Sequence, residues 1–516
     1  MVTFQKTNKI KDGRTNMKFL STIHLLAAAV CVYSTGCATK NTESAPQTLL
    51  NVTLWRGETM SVRMPDKAAK YCKDIKADNG ICVKFGAIKP VKYLTHANGT
   101  TFEEALDLVK WGAEDSGYRM AEIYVPAEVK AGTYSCGPIS IEVVNRTLPP
   151  AKEWKYYLDL WQHPWAVSRI NGLEPFSAEH YASMKPLWEQ LAAAGQKTLT
   201  VPLLELPWNH QCYDAYHSMI KRTKNDDGSW EFDYSLFDEY VTFGRECGIG
   251  KHIACYSMCP WGNIIRYFNS KGGVVAVEAP PGSKQFADFW GPFLADFKRH
   301  LVEKGWFEDT YIAMDERSPE DLKKIREFID SNAAGFKISM AGNMSAEKFA
   351  SIKMENYCQY ICYLDDKFLE TARQRSTAGN SITTYYVCCG PDRPNTFLGS
   401  NIDESFWLGA YPAFAGLNGF LRWAYNSWPQ DPAKDASFGN WRPGDTFLVY
   451  PDGSPSLRFL ELKNGIIAAE KVWLLEKSGE LDTEAFNKAR NYFKERKDFH
   501  AAKDAVQKIV NQNPSK

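Results

Sequence analysis

The sequence lacks an excess of charge of either sign, and it lacks the short motifs of several common sites. Lys plus Arg and Asp plus Glu are equal at 61 each, so the net charge favours neither nucleic acid nor anionic lipid. No C-x-x-C, H-x-H or H-E-x-x-H spacing occurs, which argues against a metal site. No G-x-G-x-x-G motif or P-loop occurs to indicate a nucleotide-binding fold. We therefore expect no metal, no cofactor and no nucleic-acid partner.

Long hydrophobic runs are also scarce. The one candidate lies in MKFLSTIHLLAAAVCVYSTGC near the N-terminus and is short for a membrane span. Its cationic start and the small residues before Cys37 are typical of a secretory signal with a bacterial lipoprotein-like end. We predict an upstream extension and signal peptide over residues 1–37 and a tether over residues 38–47. The protein would then reach the periplasm or cell surface, associated with the outer or inner membrane only through a lipid on Cys37.

The 13 cysteines do not follow the pattern of a disulfide framework. Most of those beyond the signal lie within apolar runs, where a buried free thiol is the usual state. Cys72 with Cys82 is the one local disulfide that the spacing leads us to consider.

Aromatic residues are abundant, at 16 Trp, 25 Tyr and 28 Phe. Flat rings with polar edges suit the apolar C–H faces of sugars. A large aromatic core explains the same composition, so composition alone does not decide between the two interpretations.

The order of the elements predicts an α/β fold in which a (β/α)8 TIM-like barrel follows an N-terminal β-sandwich domain. Residues 48–150 contain short Val-, Ile- and Tyr-rich runs separated by turn residues, as in a sandwich. Residues 151–478 alternate eight apolar runs with amphipathic ones, which fits a barrel better than an open doubly wound sheet. Residues 479–516 are predicted to form a short C-terminal helical tail.

The stretch YIAMDERSPE places Asp315 and Glu316 at the end of the predicted fourth barrel strand. Strand C-terminal ends build the active site of such barrels. A common retaining glycosidase also needs a second carboxylate facing its acid, about 5–5.5 Å away. The predicted seventh strand ends Cys388-Cys389-Gly390 and supplies none.

Adjacent acids do suit one mechanism, in which a 2-acetamido sugar supplies its own nucleophile. Asp315 would orient the acetamide, and Glu316 would protonate the leaving group and then deprotonate water. The alternative is structural: Asp315 caps the next helix, and Glu316 pairs with Arg317 or a lysine.

The chain resembles glycoside hydrolase family 123, the bacterial β-N-acetylgalactosaminidases. The resemblance covers the order of signal, sandwich and barrel, the Asp-Glu pair after the fourth strand, and the segments LRWAYNSW and PGDTFLVYPDGSPSLRFLELKNGI. It implies that Asp315 assists the acetamide and that Glu316 is the acid/base. Two positions depart from the family pattern: Arg317 stands where proline commonly follows the pair, and GIIAAEK lacks the acidic residue expected after Gly-Ile.

Other strand ends supply candidate sugar-binding residues, and each could equally be a core residue. Tyr386 and Tyr425 are the candidate hydroxyl donors to the acetamide carbonyl. Glu205 keeps a two-carboxylate mechanism open, and His163, His210, Asp365 and Asp366 form a less favoured metal alternative. The predicted substrate-binding set is His163, Trp165, Glu205, Trp208, Asn343, Tyr386, Trp423, Tyr425 and Trp428.

The adjacent acids predict an exo-acting β-N-acetylhexosaminidase that acts on a glycan with a terminal N-acetylhexosamine, and the family resemblance implies a preference for N-acetylgalactosamine. Two alternatives remain. One is a non-catalytic glycan-binding lipoprotein on the same scaffold, and the other is a glycosidase acting on sugars without an acetamide.

Overall fold

A computed structural model describes residues 48–65, 80–94, 101–112, 118–377 and 381–512. The predicted signal, the tether and Cys72 lie outside these ranges, so the Cys72–Cys82 disulfide stays a prediction. Within the described ranges, no helix combines the length and apolar character that crossing a membrane requires.

Two β-sheets pack face to face at the N-terminal end. One has the strand order β1-β7-β6 and the other β2-β5-β3-β4. Ile139, Ile141 and Val143 alternate along one strand and pack with Phe85 and Ile123 of the opposite sheet in a shared core. The strands are β1 (Leu50–Arg56), β2 (Thr59–Arg63), β3 (Cys82–Leu94), β4 (Phe102–Trp111), β5 (Tyr118–Tyr124), β6 (Gly132–Cys136) and β7 (Ile139–Thr147).

Eight parallel strands form a nearly closed barrel. Their order around the sheet is β8-β19-β18-β17-β16-β15-β12-β9, and a single bridge between Leu158 and Gln196 links the two end strands. Most barrel residues are buried on both strand faces, as in a sheet covered by helices. The barrel strands are β8 (Tyr157–Leu160), β9 (Thr198–Pro202), β12 (His252–Tyr256), β15 (Thr310–Asp315), β16 (Lys337–Gly342), β17 (Asn356–Tyr360), β18 (Ile382–Tyr386) and β19 (Gly419–Arg422).

Helices surround the barrel and complete the C-terminal end. Ser318 begins α5 as predicted, because its side chain accepts a hydrogen bond from the backbone N–H of Asp321. Phe493 of the C-terminal helices stacks on Phe414, with ring centroids 4.4 Å apart. The helices are α1 (Pro164–Asn171), α2 (Ala178–Ala192), α3 (Ser235–Glu246), α4 (Lys284–Glu303), α5 (Pro319–Asn332), α6 (Asp366–Thr377), α7 (Ile402–Ala415), α8 (Leu457–Ser478), α9 (Thr483–Glu495) and α10 (Phe499–Val510). The predicted fold class is confirmed.

The structure differs from the sequence-based prediction in several strands. The acid-rich strand β4 was not predicted, since only its second half is buried. Several barrel strands are shorter than predicted: β9 stops at Pro202, β17 passes into a 3-10 turn at Ile361, and β19 stops at Arg422. A further sheet with the order β11-β10-β13-β14 follows strands β9 and β12, and it consists of β10 (Lys221–Lys224), β11 (Trp230–Asp233), β13 (Ile264–Asn269) and β14 (Val274–Glu278).

A buried ion pair joins the N-terminal sheets to the barrel. Arg458 of α8 donates two hydrogen bonds to Asp107 of β4, at 3.0 and 2.9 Å, and Tyr450 donates a third at 2.6 Å. The same guanidinium group also donates to the backbone carbonyls of Thr396 and Gly444, in the loops after β18 and β19. One buried cation therefore fixes both loops against a strand of the other domain.

Asp107→Asn should lower the free energy of unfolding by about 3–5 kcal/mol, because it leaves the Arg458 charge buried without its partner. Urea unfolding followed by circular dichroism measures the loss. Glu104→Gln on the same strand is the control: the Glu104 side chain is 55% exposed and lies 3.9 Å from Lys92. Its loss should stay within about 0.5 kcal/mol. Equal losses in the two variants would contradict a structural role for the buried pair.

Candidate active site

A small pocket opens at the C-terminal ends of the barrel strands. It has a volume of about 70 Å³ and is lined by Asp315 and Glu316 together with Ala341 of the neighbouring strand. Its aromatic walls are Trp161, Trp261, Tyr386, Trp423 and Trp441. A lining of aromatic walls with a few polar groups is typical of a small-ligand site.

The backbone at Glu316 explains how adjacent acids reach one pocket. Successive side chains of a strand face opposite ways, but β15 ends at Asp315 and Glu316 has a left-handed backbone with φ of 52°. The N–H of Glu316 donates to the carbonyl of Ala341 at 2.8 Å, so the turn remains attached to β16. A non-glycine residue in this conformation costs about 1–3 kcal/mol and is often found where a side chain has a function.

Three further hydrogen bonds hold the acidic pair. The indole N–H of Trp261 and the Nε of Arg317 both donate to the backbone carbonyl of Asp315, at 3.3 and 2.9 Å. The side chain of Arg317 thus fixes the backbone of the pair. The hydroxyl of Tyr386 donates to Glu316 Oε1 at 2.8 Å.

The two acids differ in depth. Asp315 is 8% exposed, and burial raises its pKa well above the ordinary range, with a further rise from the negative charge of Glu316. The guanidinium of Arg317 and the nearby indole N–H of Trp208 oppose the rise. Glu316 is partly exposed at the pocket wall. The deeper carboxyl, Asp315, therefore holds a proton more readily than an ordinary aspartate does.

A buried ion pair supports the pocket wall that follows β19, the last strand of the barrel. Arg422 donates to Asp445 at 2.7 Å with both side chains fully buried, and the indole N–H of Trp423 donates to the same carboxylate at 3.0 Å. Trp441 lies against Trp423 with ring centroids 5.4 Å apart, and its own N–H donates to the carbonyl of Gln211. The position of Trp423 is therefore fixed from two sides.

The structure places Tyr425 and Trp428 away from the pocket. Because β19 ends at Arg422, the strand alternation that would put Trp423 and Tyr425 on one face does not continue. The Tyr425 hydroxyl donates to Gln190 of α2 at 3.0 Å, and the Trp428 indole N–H donates to a carbonyl at 2.6 Å. Both side chains are fully buried structural residues. Tyr386 is the tyrosine of the predicted donor pair that lines the pocket.

Four other predicted residues do not line the pocket. His163 is fully buried and stacks on Tyr216 at 3.7 Å, so it serves packing. Glu205 accepts hydrogen bonds from His217 at 2.5 Å and from the N–H of Ser218 at 3.0 Å, and it does not line the pocket. Trp165 and Asn343 also lie outside the pocket, in α1 and after β16.

Trp208 occupies the layer directly beneath the wall. It stacks on Trp161 at 4.8 Å and is 2% exposed. It therefore supports the pocket and tunes Asp315 without contacting the cavity. Asp365, from the metal alternative, begins α6 by accepting from the N–H of Phe368 at 2.7 Å. Across the described ranges, no three His, Cys, Asp or Glu residues are grouped to hold a metal ion.

Sequence reasoning missed Asp159, Gln211 and Trp441. The last two come from long loops after β9 and β19, where strand periodicity gives no signal. Asp159 is 1% exposed, and burial raises its pKa to about 7. It lies inside the barrel and not among the pocket-lining residues, with the N–H of Trp161 as its neighbour. It is therefore not placed as a nucleophile facing the pocket.

A barrel with carboxylates at its C-terminal face and aromatic pocket walls is the architecture of a glycoside hydrolase. Comparison with protein families gives a match to "Glycoside hydrolase 123, catalytic domain" over residues 161–475. The chain belongs to glycoside hydrolase family 123, as the resemblance in its sequence implied.

A solved structure of the same family agrees with this assignment. A family 123 glycoside hydrolase from Clostridium perfringens shares 25% identity at a TM-score of 0.76, covering 89% of this chain and 93% of that one. A family 39 glycoside hydrolase from Bacteroides cellulosilyticus WH2 shares 10% identity at a TM-score of 0.37, covering 81% of this chain and 82% of that one. None of the curated proteins compared with the chain matches it.

Asp315→Asn should stabilise the fold in a pH-dependent way. Folding raises the pKa of this carboxyl above its value of about 4 in the unfolded chain. The carboxyl therefore lowers the free energy of unfolding as the pH rises from the unfolded-state pKa through the folded-state pKa. Asn mimics the protonated acid, so its gain over wild type should be absent near pH 4 and grow by up to about 1.4 kcal/mol per pH unit above it. Urea unfolding across this pH range measures the gain.

The control is Glu320→Gln, which removes an exposed carboxylate from the first turn of α5. It should show no gain that grows with pH. A gain for Asp315→Asn that is equal at all pH values would contradict the raised pKa of this carboxyl.

Proposed function

We propose that this chain is an exo-acting β-N-acetylhexosaminidase that prefers N-acetylgalactosamine and retains configuration through the 2-acetamido group of its substrate. The observation that carries the proposal is the turn at Glu316, which brings two consecutive acids into one pocket. Among the described residues that line this pocket, Asp315 and Glu316 are the carboxylates. A two-carboxylate mechanism would need its nucleophile on the opposite side of the sugar.

The two acids have different roles because they lie at different depths in the pocket. Asp315 lies at the end of β15 on the pocket floor, where it can accept a hydrogen bond from the acetamide N–H. Glu316 lies one residue further out, where the glycosidic oxygen of a sugar with its ring on the floor would be. A pocket of this small size has room for no more than the terminal sugar of a glycan, which supports exo action.

In the proposed mechanism, a proton on Asp315 moves when the substrate binds. The acetamide N–H stabilises the ionised form of Asp315, so the proton passes to Glu316, which can then act as general acid. The acetamide oxygen attacks C1 while Glu316 protonates the leaving oxygen and the glycosidic bond breaks. The oxazolinium ion keeps its N–H against the Asp315 carboxylate. Glu316 then takes a proton from water as the water attacks C1, which restores the acetamide and the original configuration.

Tyr386 holds the general acid in place. Its hydroxyl donates to Glu316 Oε1, and burial next to both carboxylates raises its pKa, so it stays a proton donor. The Clostridium perfringens relative is described as acting in glycolipid glycan hydrolysis, which supports a glycan substrate here.

Hydrolysis of 4-nitrophenyl glycosides tests the function. N-acetyl-β-galactosaminide should be cleaved fastest, N-acetyl-β-glucosaminide more slowly, and the unacetylated β-galactoside not measurably. Glu316→Gln should lower kcat by about 100- to 10,000-fold, because it removes the general acid and base. Asp315→Asn should lower kcat on the acetylated substrates through loss of the carboxylate at the acetamide.

Glu205→Gln is the matched control, because Glu205 is bound within its own loop and should leave kcat unchanged. Loss of activity in Glu205→Gln, or equal turnover of the unacetylated galactoside, would support a two-carboxylate enzyme instead. Specific glycan binding without turnover of any acetamido sugar would support a binding protein.

We also propose that the protein is secreted and attached to a membrane through a lipid on Cys37, from the signal-like sequence alone. Expressed as the full chain in a bacterial host, wild type should fractionate with membranes and Cys37→Ser should not. Cys31→Ser, in the same signal, should behave as wild type. Membrane association that survives Cys37→Ser would contradict the anchor.

A further inference from the structure

A cleft of about 1030 Å³ lies beside the catalytic pocket, between the N-terminal sheets and the barrel. Tyr93 and Glu103, of the neighbouring strands β3 and β4, line one side. The loops after β18 and β19 form the other side and contribute Phe397 and Arg442. The catalytic pocket, at about 70 Å³, is far smaller, whereas the cleft has the size of an ordinary ligand-binding cleft.

The cleft and the pocket are adjacent. Trp441 lines both. The loop after β18 does the same, because Cys388 and Cys389 line the pocket and Asp392 and Phe397 line the cleft. A ligand that extends from the pocket past Trp441 would therefore have the cleft as its nearest described cavity.

The side that belongs to the N-terminal sheets is fixed to the barrel. The N–H of Ala436 donates to the carbonyl of Lys92 at 2.9 Å, and the N–H of Leu94 donates to the hydroxyl of Ser437 at 2.7 Å. These bonds join the end of β3 to the loop that carries Trp441, so both sides of the cleft hold their relative positions.

The surface of the cleft suits sugar rings. Tyr93 and Trp441 are partly exposed aromatic side chains on its opposite sides. Arg442 lies over the ring of Phe397 at 4.7 Å and is 48% exposed, so its guanidinium can donate to hydroxyl groups. Stacking faces beside polar donors are what a chain of sugars requires.

Charge narrows the class of ligand. The two guanidinium groups of the cleft are already paired, Arg442 with Asp392 and Arg393 with Glu404 at 2.8 Å. Glu103, which accepts a hydrogen bond from Tyr93, adds a further negative charge. The cleft therefore favours a neutral glycan over a sialylated or sulfated one.

We propose that this cleft binds the reducing-end sugars of a neutral oligosaccharide whose terminal acetamido sugar occupies the catalytic pocket. The inference rests on the proposed function and extends it, since it makes the N-terminal sheets a part of the substrate site. A nitrophenyl glycoside fills the pocket alone, whereas an oligosaccharide fills the pocket and the cleft.

Tyr93→Ala tests whether the cleft binds an oligosaccharide but not a nitrophenyl glycoside. Its kcat/KM should fall about tenfold, through KM, on a neutral trisaccharide ending in N-acetyl-β-galactosamine or N-acetyl-β-glucosamine, whichever wild type cleaves faster. On the 4-nitrophenyl glycoside of the same sugar it should change less than about twofold. Tyr124→Ala is the matched control, because Tyr124 is a 42% exposed tyrosine on β5, away from the cleft. Equal effects on both substrates, or none, would overturn the proposal.

Calorimetric titration measures binding of the oligosaccharide in the cleft without depending on turnover. Both trisaccharides are titrated into Glu316→Gln protein with and without Tyr93→Ala, and the second substitution should weaken binding about tenfold. If wild type cleaves no acetamido sugar but this difference appears, the proposed catalysis fails and the cleft site stands. Equal binding with and without Tyr93→Ala, or no binding of either trisaccharide, would contradict the cleft site.

Discussion

The left-handed turn at Glu316 is the feature on which the rest of the site depends. On a regular strand, consecutive side chains point to opposite faces, and one acid of the pair would be lost to the barrel wall. The turn costs backbone energy, and the hydrogen bond from the Glu316 N–H to Ala341 helps to offset that cost. Trp261 and Arg317 hold the preceding carbonyl. The result is one pocket that contains a deep acid and a shallow acid.

The loops around this pair are held by buried charge. Arg422 with Asp445 fixes Trp423, and Arg458 with Asp107 joins the loops after β18 and β19 to the N-terminal sheets. Interior ion pairs of this kind contribute little net stability. An arrangement that leaves one charge buried without its partner is, however, strongly destabilised. They specify the geometry of the walls, and they make the N-terminal sheets a structural part of the barrel's mouth.

Much of this architecture could be read from the sequence, for identifiable reasons. Buried parallel strands such as β15 are continuous apolar runs, and Ser318 with Pro319 marks the start of α5 clearly. The acidic pair and Tyr386 were found because they stand at strand ends. The family resemblance supplied the roles that spacing alone left open.

The remaining predictions depended on information that periodicity does not contain. The predicted strand through Tyr425 was too long, because nothing local signals that β19 ends at Arg422. Trp441 reaches the pocket from a long loop whose path is set by contacts with Lys92 and Leu94, far away in sequence. Aromatic and acidic residues at other strand ends, such as His163 and Glu205, turned inward to packing and loop contacts that only the folded chain defines.

The central claim is that the substrate supplies the nucleophile. Fluorine substitution on the acetyl group tests it most directly, because each fluorine withdraws electrons from the carbonyl oxygen without changing the leaving group. We expect kcat/KM on nitrophenyl substrates to fall steeply and progressively from acetyl to mono-, di- and trifluoroacetyl. Rates that are independent of fluorine number would contradict attack by the acetamide and require a nucleophile from the protein.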